Sequence, residues 1–304
     1  MPFTLPRLPK TRVASVLGYT ALTIASFLLF LWLTFPYDVI ERLVVDKARE
    51  AGTHLRIGDV GPGFFGVSFD TIQVLPAPKD GEDPDASRAL VIDSVTVRPA
   101  LLPIGLAIRA DALGGDIAAN VGALGKPSLS VTLDGLSTQR GNFVAYTGID
   151  LDSTLDGALD LDFSKVNGAA DPSTANGALS LTLANALLKG GTLTGAMPLD
   201  LPAARLGTIE IAVPFENGVG TVETFTGNGE DLQVRGSGTI NLARNLEASR
   251  INLDLALRAS EAFAKEQPLI GMGLNTLPPD REDPSFRKAR VGGTLSRLSF
   301  GPGR

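Results

Sequence analysis

The chain has 304 residues, no cysteine, a single histidine and a formal net charge of −6. No disulfide or thiolate metal site can form without thiols. One imidazole, His54, offers little for a metal centre or a triad, and an acidic chain with no Lys/Arg cluster beyond its first residues is excluded as a binder of nucleic-acid phosphates.

Val13 to Phe35 contains 23 residues and no charge. As a helix it reaches about 34 Å, against roughly 30 Å of bilayer hydrocarbon, so residues 13–35 are expected to span a membrane. Arg7, Lys10 and Arg12 precede the segment, whereas the first charges after it are Asp38 and Glu41. The positive-inside rule then leaves residues 1–12 in the cytoplasm and the bulk of the chain outside it, as in a single-pass protein of a bacterial inner membrane with a periplasmic domain. A cleaved signal peptide would have a shorter core of about 7–15 residues and a small-residue exit; this segment ends Leu31-Trp-Leu-Thr-Phe-Pro36. Its polar members, such as Thr23 and Thr34, can bond back to helix carbonyls and mark no transport path.

Residues 36–52 read as an amphipathic helix, with Asp38 as N-cap and Gly52 as stop. Val39, Ile40, Leu43 and Val44 share one face. Because the charges opposite are mixed in sign, capping the end of a sheet is the preferred role over lying on a lipid surface.

From residue 53 to 304 the period is two. HLRIGDV (54–60), GVSFDTIQVLP (66–76), RALVIDSVTVRP (88–99) and GLAIRADAL (105–113) alternate apolar and polar residues between Gly and Pro breaks, the pattern of half-buried antiparallel strands. A glycine followed by alternation recurs at Gly157, Gly177, Gly191, Gly207, Gly238 and Gly293. The spacing is too irregular for a solenoid, but similar strands with a glycine near the start build a long curved sheet. Asn217-Gly218 and Asn228-Gly229 predict two-residue hairpins, giving a three-stranded meander over 205–242. Arg250–Arg258 is a further strand; Ser260 caps a short helix that ends near Pro268, Asn275–Ser285 is a loop, and Lys288–Phe300 returns as a closing strand. The fold expected is mainly β: an elongated, curved antiparallel sheet, either an open groove or a sandwich.

Residues that could carry chemistry have plain structural readings. Asp80, Glu82, Asp83 and Asp85 offer oxygen ligands for calcium but lack the EF-hand spacing and read as a solvated turn. The pairs Asp150/Asp152 and Asp160/Asp162 share a strand face and read as solvated. Gly61-Pro-Gly63 and Gly114-Gly115 lack the following helix that cradles phosphate. With no nucleophile elbow, Walker A loop, HExxH or dinucleotide fingerprint, a non-enzyme is expected, with no catalytic residue, cofactor or metal.

One anchor, a Phe35-Pro36 junction, an amphipathic helix and a β-rich exterior resemble the type II secretion system protein N family, also called general secretion pathway protein N. The closest local likeness is GVGTVETFTGNGEDLQVRGSGTINLARNLEASRINLDLALR (218–258), followed by GGTLSRLSF (292–300). AsmA-like envelope proteins are relatives written with the same alternation. The resemblance implies a non-catalytic inner-membrane component of the machine that secretes folded proteins, whose partners are the membrane and other secretion subunits in the periplasm. The alternative is an AsmA-like protein that binds or conducts lipid along a hydrophobic groove.

Overall fold

The computed structural model describes residues 19, 22–23, 26–27, 30, 34, 36–50, 52–63, 66–76, 85–101, 104–193, 199–295 and 297–303. Residues 1–12 and most of the expected membrane span lie outside them. The described members of that span, from Tyr19 to Thr34, are helical, and Thr23 and Thr34 donate to the carbonyls of Tyr19 and Phe30 at 2.8 and 2.7 Å. Among the described residues no helix is long and apolar enough to cross a membrane.

Helix α1 (Tyr37–Glu50) is followed by β1 (His54–Gly63), β2 (Gly66–Leu75), β3 (Leu90–Leu101), β4 (Ile104–Ala112), β5 (Gly115–Gly122) and β6 (Ser128–Ser137). A single-turn helix α2 (Phe143–Thr147) leads to the long strands β7 (Ile149–Val166) and β8 (Ala169–Leu193). Then come β9 (Leu199–Leu201), β10 (Ala204–Glu216), β11 (Val219–Val222), β12 (Thr224–Asn228), β13 (Leu232–Asn241) and β14 (Arg250–Ala259). Helices α3 (Glu261–Glu266) and α4 (Pro268–Asn275) precede β15 (Arg287–Thr294) and β16 (Arg297–Pro302).

All sixteen strands belong to one sheet, and the pairings are antiparallel throughout. Neighbours in space are neighbours in sequence, with β9 beside β8 and β12 between β10 and β13 as side members. The hydrogen-bonded path begins at β1 and stops at β16 without closing. At about 4.8 Å per strand the fourteen strands of the path span roughly 60 Å if laid flat. The expected large antiparallel sheet is thus present, and its first and last strands are not hydrogen-bonded to each other among the described strands.

Register places the aliphatic residues on a shared face, because directly paired residues point the same way. One row runs Val60, Phe69, Val95, Ala110, Ile117, Leu133 across β1 to β6. Another runs Val131, Leu159, Leu179, Val213 across β6, β7, β8 and β10. Asp, Ser, Thr and Arg occupy the alternate positions, so one face is apolar and the other polar.

Two buried clusters form on that apolar face. In the first, Ile57, Phe69 and Ile72 are covered by Ile40, Val44 and Val45 of α1; Val39 and Leu43, expected on the same face, are 61% and 58% exposed, and Asp38, expected as N-cap, lies within the first turn because the helix starts at Tyr37. The second gathers Leu161, Ala175, Val213, Phe215 and Val222, with Phe163, Phe225 and Ile240 against them. Glycines make room for the rings: a Cβ on Gly236 would lie 2.3 Å from the Phe225 ring, and one on Gly220 2.6 Å from Phe215.

Several sequence expectations need correction. The units at Gly177 and Gly191 are one strand, β8. The middle strand of the 205–242 meander is interrupted at Glu223, whose N–H donates to Ala212 at 3.0 Å, splitting it into β11 and β12. Asn217 and Gly218 adopt φ of 48° and 77° as a two-residue hairpin requires. Asn228-Gly229 is not such a turn: Asn228 pairs with Gln233, and the intervening loop is held by Arg205 on Glu230 and Asp231. Pro268 opens α4 where only the end of α3 was expected, since proline suits the first turn of a helix. The closing strand is a hairpin, β15 and β16, with Thr294 paired to Arg297.

Candidate functional site

Between the two buried clusters lies a strip of apolar face that belongs to neither. It is built by β4, β5 and β6, where Leu106 pairs with Val121 and Val121 with Leu129, and where Ile108 pairs with Ala119 and Ala119 with Val131. None of these six is buried; Leu106 is 47% and Val121 37% exposed. A sandwich would bury them as its core. This strip, the trough, is flanked on one side by the α1 cluster and on the other by Leu159 and Leu161, which pair with Val131 and Leu129. Small side chains at Ala110 and Ala119 lower its floor, and its polar reverse side carries Asn120, Ser130 and Arg109.

The polar face holds a shallow depression of about 510 Å³ lined by Asn120, Ser128, Ser130, Asp160, Asp162 and Asn176. It contains amides, hydroxyls and two carboxylates, and Leu129, Leu161 and Gly177 complete its lining. Lys126 neutralises Asp162 at 3.1 Å.

The other charged residues singled out by sequence are tied into turns and ladders. Asp150 accepts from Gln139 at 2.9 Å, and Asp152 pairs with Lys189 at 2.8 Å, which raises the Lys189 pKa. Asp85 accepts from the Ser87 hydroxyl and N–H at 2.7 and 2.9 Å and is held below the usual carboxylate range by those bonds. Asp80, Glu82 and Asp83 lie outside the described residues. His54 opens β1, Gly61-Pro62-Gly63 continue that strand, and Gly114 forms the β4–β5 turn with Leu113, while Gly115 begins β5 opposite Ala112. No group of three or more His, Asp or Glu side chains is placed to hold a metal among the described residues.

Two ion pairs act as structural ties. Asp171, buried at the start of β8, accepts from the Ser173 hydroxyl at 2.7 Å and from Arg244 at 2.8 and 3.0 Å. This links the β7–β8 end to the β13–β14 loop; Ser173 first, then Arg244, lowers the Asp171 pKa. Asp231 accepts from the Arg205 side chain at 3.0 Å and from its N–H at 2.8 Å, again with a lowered pKa.

The trough was missed by sequence reasoning because the eye stops at GLAIRADAL. The signal lay in the next two runs, DIAANVG and SLSVTLDGLS, whose alternation is diluted by alanine and glycine. With this geometry in view, comparison with known proteins adds nothing further: no protein family, curated protein or solved structure matches the sequence.

Proposed function

We propose that this chain is an inner-membrane-anchored, non-catalytic periplasmic component of the type II secretion machinery, with residues 13–35 as its anchor. Its elongated, curved sheet serves as a docking surface for other subunits. The observation that carries the interaction role is the uncovered apolar trough on β4–β6, an aliphatic strip exposed in the middle of an otherwise self-packed face. The likeness over residues 218–258 supplies the name of the machine. Open edges at β1 and β16 offer a further mode of contact, by addition of a strand from a partner.

The same trough favours a second reading, an AsmA-like protein that shields acyl chains. An aliphatic channel without fixed polar groups fits a lipid tail as well as it fits a protein side chain. Crosslinking in native membranes followed by solubilisation separates the two. Recovery of secretion subunits supports the first reading; phospholipid co-purifying with the chain and no such subunit overturns it in favour of the second.

A further inference from the structure

The outer edge of β1 is open over its first half. Val91, the residue paired with Gln73, gives its N–H to the carbonyl of Gly141 at 2.8 Å. Gln73 therefore turns its own backbone groups toward its other partner, Arg56, and by alternation Leu55 and Ile57 turn theirs away from β2, to the outside of the sheet. No described strand pairs with that side. The second half of the same edge is blunted: the Val60 N–H donates to the Asp59 carboxylate at 2.9 Å, and Pro62 has no N–H to offer.

Helix α1 makes a groove of this open stretch. Glu41, Val45 and Arg49, four residues apart, share one flank of the helix. With residues 54–57 and Leu75 they line a depression of about 360 Å³. Its chemistry differs between the two faces of β1. Leu55 and Ile57 lie on the α1 side, in one apolar cluster with Val45. His54 and Arg56 lie on the other, where their β2 partners are the uncharged Leu75 and Gln73. Arg56 is exposed and has no carboxylate partner among the described residues. Glu41 and Arg49 balance each other on the helix flank, so Arg56 is the uncompensated charge of the groove.

We propose that this groove takes up an extended segment of a protein partner as an added strand, one in which apolar residues alternate with acidic ones. The backbone of that segment pairs with Leu55 and Ile57. Its apolar side chains lie beside those two residues on the Val45 side, and its carboxylates stand on the opposite face, across from Arg56. A second copy of this chain fits less well. Two-fold antiparallel pairing of Leu55 with Ile57 between copies sets the two Arg56 side chains directly opposite each other, and like charges so placed destabilise a strand pair. The proposal rests on the reading of the sheet as a docking surface and gives that reading one edge and one ligand chemistry.

Full-length protein in detergent micelles is titrated with two short fluorescent peptides, one alternating valine with glutamate and one alternating valine with lysine, and binding is read by anisotropy. The glutamate peptide should bind several-fold more tightly than the lysine peptide, and Arg56→Glu should invert that order. Amide hydrogen exchange across residues 54–58 should slow when the glutamate peptide is bound. Equal affinities, an order unchanged in Arg56→Glu, or unslowed exchange at 54–58 overturns the proposal. Exchange at 54–58 that slows with rising protein concentration and no peptide assigns the edge to a second copy and overturns it as well. Crosslinking from Ala119→Cys reads the β4–β6 face independently: partner adducts there without a peptide effect remove the β1 groove and spare the docking role, whereas peptide binding without such adducts removes the trough and spares the groove.

Discussion

Asp171 illustrates how a carboxylate in this chain is spent on geometry and not on chemistry. Its bonds to Ser173 and Arg244 lower its folded pKa below the ordinary 3.8, as those from Arg205 and Lys288 do for Asp231 and Asp280. A depressed carboxylate gives stability that is fully present above the unfolded value and lost as pH falls through the folded one. Denaturant midpoints should therefore fall on acidification below about pH 4. Asp171→Asn should be less stable than the parent at neutral pH, with the gap narrowing in acid; a constant gap would show that charge is not the cause. Glycine acts at the same scale. Gly177 has φ 148°, and a Cβ there would lie 1.9 Å from the carbonyl oxygen of Asp160. Gly177→Ala should cost about 2 kcal/mol or more in equilibrium unfolding. The repeated glycines announced such positions in sequence, but which of them meets a backbone oxygen depends on register, and that is set by the partner strand.

At the scale of elements, alternation made the strands legible and tertiary contacts decided the rest. RINLDLALR keeps a clean period of two, whereas GVSFDTIQVLP changes phase at Thr71, φ 54°, and both are strands within a residue or two of their expected limits. Helix α4, PLIGMGLN, carries two glycines that argue against a helix, and it forms where Pro268 can start one beside α3. The loop after it was legible from its prolines but its anchor was not, being a long-range contact: Phe286, 1% exposed, has Arg235 and Arg258 each 4.6 Å from its ring centroid. Phe286→Ala should destabilise the chain by about 3–4 kcal/mol, with faster amide exchange in 277–288 as the local signature. The trough was illegible for a related reason. Leucine and valine on alternating strands look identical whether another layer covers them or not, and only burial in the folded chain distinguishes Leu129 from Leu161. Phe215→Ala in the second cluster should cost about 3–5 kcal/mol, while Leu129→Ala in the trough should cost roughly half that or less.

For the whole molecule, one sheet does three things at once. Its first strands take the cap of α1, its β7–β14 region curls enough to pack its own aliphatic and aromatic side chains, and the strands between leave their apolar face free. Topology follows from the anchor reading: a reporter enzyme active only outside the cytoplasm, fused after Arg304, should be active, and an inactive fusion would reverse the orientation argued from Arg7, Lys10 and Arg12. The central claim is that the β4–β6 face is kept free for a partner. The most direct measurement is crosslinking from Ala119→Cys carrying a thiol-linked benzophenone, in full-length protein in native membranes, with the products identified by mass spectrometry. The account predicts intermolecular adducts, to a secretion subunit on the first reading or to phospholipid on the second. Adducts confined to this chain's own residues, with the introduced thiol shielded from soluble maleimide, would mean that the face is an interior and would contradict it.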